Sequence, residues 1–357
     1  MSSLPARFVA TPLGVELPII QAPMAGVSSA EMAAAVSNAG GLGSIAVGVL
    51  DADAAAREIA KLRMLTARPF NVNVFCHEPK RRDEAIEAAW LERLRPAFQR
   101  LGGAPPARLT EPFASFHANG PLLRTLVSAR LPVVSFHFGV PARAVVSALH
   151  AAGSVLMATA TRLDEARHVA EAGIDVIIAQ GVEAGGHRGL FDPEAFDECL
   201  GTLALTRLLA THLDRPIVAA GGMMDGSEIA MALRHGASAV QMGTAFLATD
   251  ESTASPAHRA ALVDAPTVMT RALSGRPARA LANEMTRLGE AVPAASIPPF
   301  PMAYDVTRAL DALARSRRNT HFGAHWAGLG STRARAMPAA ALVALLAREL
   351  ADATRPH

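Results

Sequence analysis

Eight times between Leu17 and Phe246 a short apolar run closes on Gly, Ala or Asn and gives way to a segment of helical period, a rhythm that few folds accommodate. The runs are "LPIIQAPMAG" from Leu17, "LGSIAVG" from Leu42, "FNVNVF" from Phe70, "PVVSFHFG" from Pro132, "SVLMATA" from Ser154, "DVIIAQG" from Asp175, "PIVAAGG" from Pro216 and "AVQMGTAF" from Ala239. Helical patterns such as "LDEARHVAEAG" and "DGSEIAMALRHG" follow nearly every one. In the first unit, Ser28 or Ser29 can cap the helix, Glu31 sits near its positive end, and Gly40 can supply the left-handed stop. Eight βα units in succession predict an α/β chain closed into a (β/α)8 TIM barrel, with functional residues at the carboxyl ends of the strands. An open doubly wound sheet is the alternative, but no Gly-x-Gly-x-x-Gly follows the first run.

Two stretches interrupt the rhythm. Residues 78–119 hold the charged helix "RRDEAIEAAWLERLRPAFQRLG" and a Pro-rich loop, and residues 250–305 hold "SPAHRAALVDA" and "ALANEMTRLGE", both of helical pattern, before "VPAASIPPFP". The expected organisation is a barrel of residues 1–249 with 306–357, and a smaller, mainly helical substrate or lid domain of residues 250–305. The helices "AYDVTRALDALARS" and "PAAALVALLARELADA" are expected to return to the barrel.

Composition narrows the function. A net charge of +2 over 357 residues, with no basic cluster interleaved with aromatics, argues against nucleic acid as a partner. The clusters around Arg81 and Arg317 read as solvated faces. Cys76 and Cys199 lie far apart without Cys-x-x-Cys or Cys/His spacing, so neither a disulfide framework nor a metal site is expected. The start "MSSLPARFVATPLG" lacks a leader pattern and no apolar stretch reaches membrane-spanning length, so the expectation is a cytoplasmic protein with no membrane contact.

Strand ends carry the chemistry. "AAGGMMDG" and "QMGTAF" end the seventh and eighth strands, where a barrel commonly builds a phosphate site, because glycines let backbone N–H groups approach an anion. That suits flavin mononucleotide, FMN. Gln21, Asn71, Asn73, His137 and Gln180 offer uncharged polar groups for an isoalloxazine edge, and the backbone at Ala22, Pro23 and Met24 can lie against its ring. In "EAGGHRG", His187 follows two glycines, where it can be a structural group, a metal ligand, a phosphate neighbour or a catalytic base; Glu183 reads as a loop carboxylate. No Gly-x-Ser-x-Gly elbow is present.

Taken in order, "PIIQAPMAGVSSAEMAAAVSNAGGLGSI", "FNVNVF", "SFHFG", "AQGVEAGGHRG", "PIVAAGGM", "AVQMGTAFL", "PPFPMAYDVTRAL" and "HWAGLG" resemble the nitronate monooxygenases, specifically their bacterial class I group, over almost the whole chain. The resemblance implies a TIM barrel with non-covalent FMN, contacted by Met24, Asn73, Gln180, Gly185, Gly222, Gln241, Met242, Gly243 and Thr244. It implies His187 as the active-site histidine, with His137, Tyr304 and Arg308 toward the substrate. Arg308 stands where lysine is expected, and Phe300 where a second tyrosine is expected. The implied reaction oxidises an alkyl nitronate, such as propionate 3-nitronate, with O2 to a carbonyl compound and nitrite, in a monomer or homodimer. The competing readings are an FMN-dependent NAD(P)H:quinone or enoyl-thioester reductase and a flavin-binding sensor barrel.

Overall fold

The computed structural model describes residues 12–355; most of the N-terminal segment read above for a leader lies outside them. In chain order the first half runs β1 (Ile19–Gln21), α1 (Ala30–Asn38), β2 (Gly43–Ala46), α2 (Ala52–Leu65), β3 (Phe70–Phe75), α3 (Glu84–Arg100), α4 (Gly120–Ser128), β4 (Val133–His137), α5 (Arg143–Ala151), β5 (Val155–Ala160), α6 (Leu163–Glu171) and β6 (Val176–Gln180). The second half runs β7 (Gly186–His187), α7 (Thr202–His212), β8 (Ile217–Ala220), α8 (Gly226–Arg234), β9 (Ala239–Met242), α9 (Pro256–Asp264), β10 (Thr267–Thr270), β11 (Ala278–Leu281), α10 (Glu284–Leu288), α11 (Met302–Ser316) and α12 (Ala339–Ala353).

Eight parallel strands pair in the order β1-β9-β8-β6-β5-β4-β3-β2. A parallel bridge between Ile20 and Leu42 joins the two ends, with the Gln21 amide donating to the Leu42 carbonyl at 2.9 Å, so the sheet closes on itself. These are the eight runs expected from the sequence. Ser29 caps α1 by accepting from the Met32 amide, and Gly40 takes φ +93° after it. Ser28 has another task, accepting the Met24 amide at 2.9 Å within the loop after β1.

Two-residue periodicity divides each strand. Val72, Val74, Phe136, Leu156, Ile177 and Ile217 face the helical layer, whereas Ile20, Val133, Met157, Val176, Ile178, Val218 and Ala239 fill the barrel axis. The axial core is apolar below and polar at the carboxyl end, where a ligand can be met.

A second core lies outside the barrel. Trp90, Leu94 and Phe98 of α3 pack with Met285 of α10 and with Val306 and Leu310 of α11, so the two interruptions come together in space. α11 therefore packs on α3, and α12 is the helix that docks on α8 and α1. α9 and α10 form within the two segments of helical pattern, but β10 and β11 lie between them and join β7 in a three-stranded antiparallel sheet, which takes Ala280 and Leu281 out of the second expected helix. Ala280 and Leu281 are good helix formers, yet they belong to β11, because pairing with β10 on one edge and with Trp326 and His325 on the other satisfies their backbone and burial rewards their side chains.

Candidate active site

Side chains on the axial face of the strands, at their carboxyl ends, form the floor of a cavity of about 490 Å³. Asn73, His137, Thr159, Gln180, Ala220 and Gln241 all point there by the strand alternation. Met24, Gly185, His187, Gly222, Met242, Gly243, Thr244, Tyr304 and Arg308 line the same space, so every residue that the family resemblance assigns to flavin or substrate shares one cavity. Gln21 and Asn71 do not line it. Ile20 points to the axis, which turns Gln21 to the helical side; its Oε1 accepts from the Ser44 amide at 2.8 Å. Asn71 lies two residues deeper than Asn73 and donates to Ser44 Oγ at 3.2 Å.

The turn "EAGGHRG" connects β6 to β7, and each of its residues is held separately. A Cβ on Gly185 would stand 2.5 Å from the backbone of Ala327 and Gly328, while Gly186 takes φ +74°, which favours glycine. Glu183 accepts from the Thr202 amide at 2.9 Å and its hydroxyl at 2.8 Å, thereby capping α7. Arg188 is buried and donates to both carboxylate oxygens of Asp197, at 2.7 and 2.8 Å, while its remaining arm reaches the Gln180 and Gly181 carbonyls at 3.0 Å each. The Gln180 side chain donates to the His187 carbonyl at 2.9 Å and accepts from the Gly189 amide at 2.8 Å.

His187 is thus a strand residue, paired with Ala278 of β11. Trp326, bridged to Ala280, continues the same edge and stands 4.8 Å from the His187 ring, with Phe138 and Phe300 edge-on at 5.6 and 5.3 Å. Ser274 Oγ lies 2.8 Å from His187 Nε2. Burial among these rings holds His187 down to about 3, reinforced by His137, Arg276 and His77, so the imidazole is neutral at ordinary pH. His137 is held down to about 4, again chiefly by burial; both its ring nitrogens have partners, Thr159 Oγ1 at 3.0 Å and the His187 carbonyl at 3.3 Å.

Arg276 escaped the sequence reading. It is buried, its Cζ lies 4.2 Å from the Phe138 ring centroid, and it donates to the carbonyls of Leu190 and Phe191. Burial lowers it to about 10, which leaves it a cation at neutral pH. Ser274, Trp326 and the Arg188–Asp197 pair were also missed; the local signals were that Arg188 sits inside "EAGGHRG" and Trp326 inside "HWAGLG".

Two features fit a flavin nucleotide. Among the described residues, the amides of Gly222, Met223, Gly243 and Thr244, at the ends of β8 and β9, donate to no protein acceptor, and such free N–H groups suit a phosphate. Gln241 Oε1 is buried without a donor, while Asn73 uses its Nδ2 on Ser135 Oγ at 2.9 Å and leaves Oδ1 unused. Those oxygens suit ring N–H groups. No cluster of His, Cys, Asp and Glu that could hold a metal occurs among the described residues. At the mouth, Arg308 is exposed on α11 one turn from Tyr304, whose hydroxyl is pushed up by burial.

Comparison with known proteins agrees with this geometry. The family model for nitronate monooxygenase matches residues 8–349. The chain is 50% identical over 341 residues to the nitronate monooxygenase of Paraburkholderia phytofirmans, covering 95% of this chain and 93% of that one. It is likewise 50% identical to the nitronate monooxygenase of Pseudomonas aeruginosa, covering 95% and 97%. Among solved structures, a nitroalkane oxidase from Streptomyces ansochromogenes superposes with a TM-score of 0.88 at 43% identity, over 96% of this chain and 99% of that one. A family match over nearly the whole length, relatives at half identity and a shared barrel lead to one conclusion: the chain belongs to the nitronate monooxygenase family.

Proposed function

We infer that the cavity binds FMN and oxidises alkyl nitronates with O2 to a carbonyl compound and nitrite. The observation that carries this reading is the meeting, in one cavity, of four unpaired strand-end amides with a neutral histidine boxed by aromatic rings. Bound flavin supplies electron acceptance from the nitronate and delivery to oxygen, chemistry that side chains do not provide. The amides of Gly222, Met223, Gly243 and Thr244 would hold its phosphate, Gln241 and Asn73 would accept from its ring, and Met24, Gln180, Gly185 and Met242 would complete the wall.

His187 would meet the nitro oxygens, with Phe300 and Trp326 excluding water around them. His137 steadies His187 through its carbonyl. Arg308 and Tyr304 at the mouth suit the carboxylate of a substrate such as propionate 3-nitronate; Arg308 has no carboxylate partner among the described residues. The barrel would comprise residues 12–249 apart from α3, together with α12, and the substrate unit α3 with residues 250–316. No helix among the described residues is long and apolar enough to cross a membrane, and two free cysteines suit a reducing compartment such as the cytoplasm.

Anaerobic mixing of the purified flavoprotein with propionate 3-nitronate should bleach its visible absorbance, whereas NADH or NADPH should leave it unchanged. Aerobic turnover should release nitrite. Rapid bleaching by NADH with no response to nitronate would assign a reductase instead, and no response to either would leave a binding barrel.

A further inference from the structure

We propose that Ser274 is a positioning residue that fixes neutral His187 as its Nδ1–H tautomer, so that the histidine offers the cavity a hydrogen-bond donor. The argument rests on where the Ser274 proton can go. Ser274 has no solvent exposure, so its hydroxyl proton needs a protein acceptor. Its oxygen already faces a donor, the Arg276 amide at 3.5 Å, and its one further partner among the described residues is His187 Nε2 at 2.8 Å. Were Nε2 protonated, a second donor would face the same oxygen and the hydroxyl proton would be stranded in the interior, a loss comparable to an unmade buried hydrogen bond. With the hydroxyl donating to Nε2, both groups are satisfied. The ring proton then sits on Nδ1, which has no partner among the described residues.

The charged and titratable groups around the ring favour a neutral imidazole. They are Arg276, stacked on Phe138; His137, which donates to the His187 carbonyl; and His77, edge-on to Phe138 and Phe300. Arg188 is neutralised by Asp197. The Ser274–Arg276 turn is itself registered to His187, since the Arg188 amide donates to the Pro277 carbonyl at 2.8 Å and Ala278 pairs with His187. One turn therefore sets the proton position on His187, and its Arg276 reinforces the neutral state that burial imposes.

The use of the donor, on a nitro oxygen, rests on the nitronate reading; the tautomer does not. A neutral Nδ1–H ring has no lone pair facing the cavity with which to remove an α-proton, so neutral nitroethane should turn over about 100-fold more slowly than ethylnitronate.

The test uses the holoenzyme labelled with 15N-histidine, without substrate, at pH 7.5. Two-bond 1H–15N correlations are assigned to His187 by their loss in His187→Asn. The expected pattern has a protonated Nδ1 and an unprotonated Nε2; a protonated Nε2 would overturn the proposal. Ser274→Ala should lose this bias and lower kcat/KM for ethylnitronate by roughly tenfold with flavin retained, and Ser274→Thr, which keeps the hydroxyl, should restore both. Unchanged tautomer and kinetics in Ser274→Ala would also overturn it. Should Ser274→Ala shed flavin, the spectra of the parent and of Ser274→Thr decide. An Nδ1–H pattern in a protein that does not respond to nitronate would uphold the tautomer and refute the assigned reaction.

Discussion

Gly243→Ala should separate flavin binding from folding. Gly243 has φ −103° and ψ −65°, within reach of any L-residue, and an added Cβ would meet Ala22 Cβ at 3.4 Å and Met24 Sδ at 3.6 Å, which are ordinary contacts. The fold therefore has room for the methyl, and restriction of the unfolded chain stabilises such a variant by about 0.4–1 kcal/mol. The methyl would nevertheless stand in the cavity wall beside the free amides of Gly243 and Thr244. Loss of one hydrogen bond to a phosphate costs about 1.5–3 kcal/mol, which is roughly a ten- to hundredfold rise in Kd for FMN. Quenching of FMN fluorescence on titration with apoprotein measures that Kd, and a thermal melt of the apoprotein measures the fold. Gly222→Ala is the contrasting variant: φ is +73° and the new Cβ would lie 2.9 Å from Glu183 Cβ, so about 1–2 kcal/mol of backbone strain adds to displacement of the group that caps α7. Its apoprotein Tm should fall, whereas that of Gly243→Ala should hold. Wild-type FMN affinity in Gly243→Ala would refute placement of the phosphate at the end of β9.

Other outcomes follow from the same geometry. His187→Ala should retain FMN and lose most nitrite production, measured colorimetrically; full activity would remove His187 from the reaction. Arg308→Ala should raise KM for propionate 3-nitronate about tenfold while leaving that for propyl-1-nitronate unchanged, a split that a purely structural arginine would not produce. Asp197→Ala should cost about 3 kcal/mol in denaturant unfolding, because it strands the buried Arg188, with the loss held to the low end by the partial exposure of Asp197. His77, His137, His187, His258 and His325 are all held at about 3 to 4 by burial. Their folded pKa values lie below the unfolded value near 6.5, so the unfolded chain binds more protons below that pH. Stability should be intact above pH 6.5 and fall by about 1.4 kcal/mol per pH unit for each such histidine as pH drops from 6.5 toward 4. Urea unfolding at pH 7.5 and 5 checks this; equal midpoints would contradict the burial of these rings.

Local pattern determined the barrel and the composition of its upper rim. In "FNVNVF", alternation sends Val72 and Val74 to the helices and Asn71 and Asn73 to the axis, and the same two-residue period places His137, Gln180 and Gln241 above the apolar axial core. The glycines that end β8 and β9 were equally legible, because a backbone that must approach a ligand needs residues without a side chain. Which polar residue reaches the cavity was less so: Gln21 fails by the facing of a three-residue strand and Asn71 by its depth.

Contacts between distant segments decided the rest. Ala280 and Leu281 joined a strand because partners lay on both of its edges, and α11 joined α3 because their apolar faces meet outside the barrel. His187 looked like a loop residue beside two glycines. Its position comes from pairing with Ala278, the side of the ring that carries its proton from the Ser274 hydroxyl on Nε2, and its neutrality from burial among Phe138, Phe300 and Trp326 beneath Arg276. Each partner lies dozens of residues away along the chain, and hydrogen bonding and desolvation depend on distance in space, so periodicity determined where the site would be and tertiary packing determined what its histidine can do.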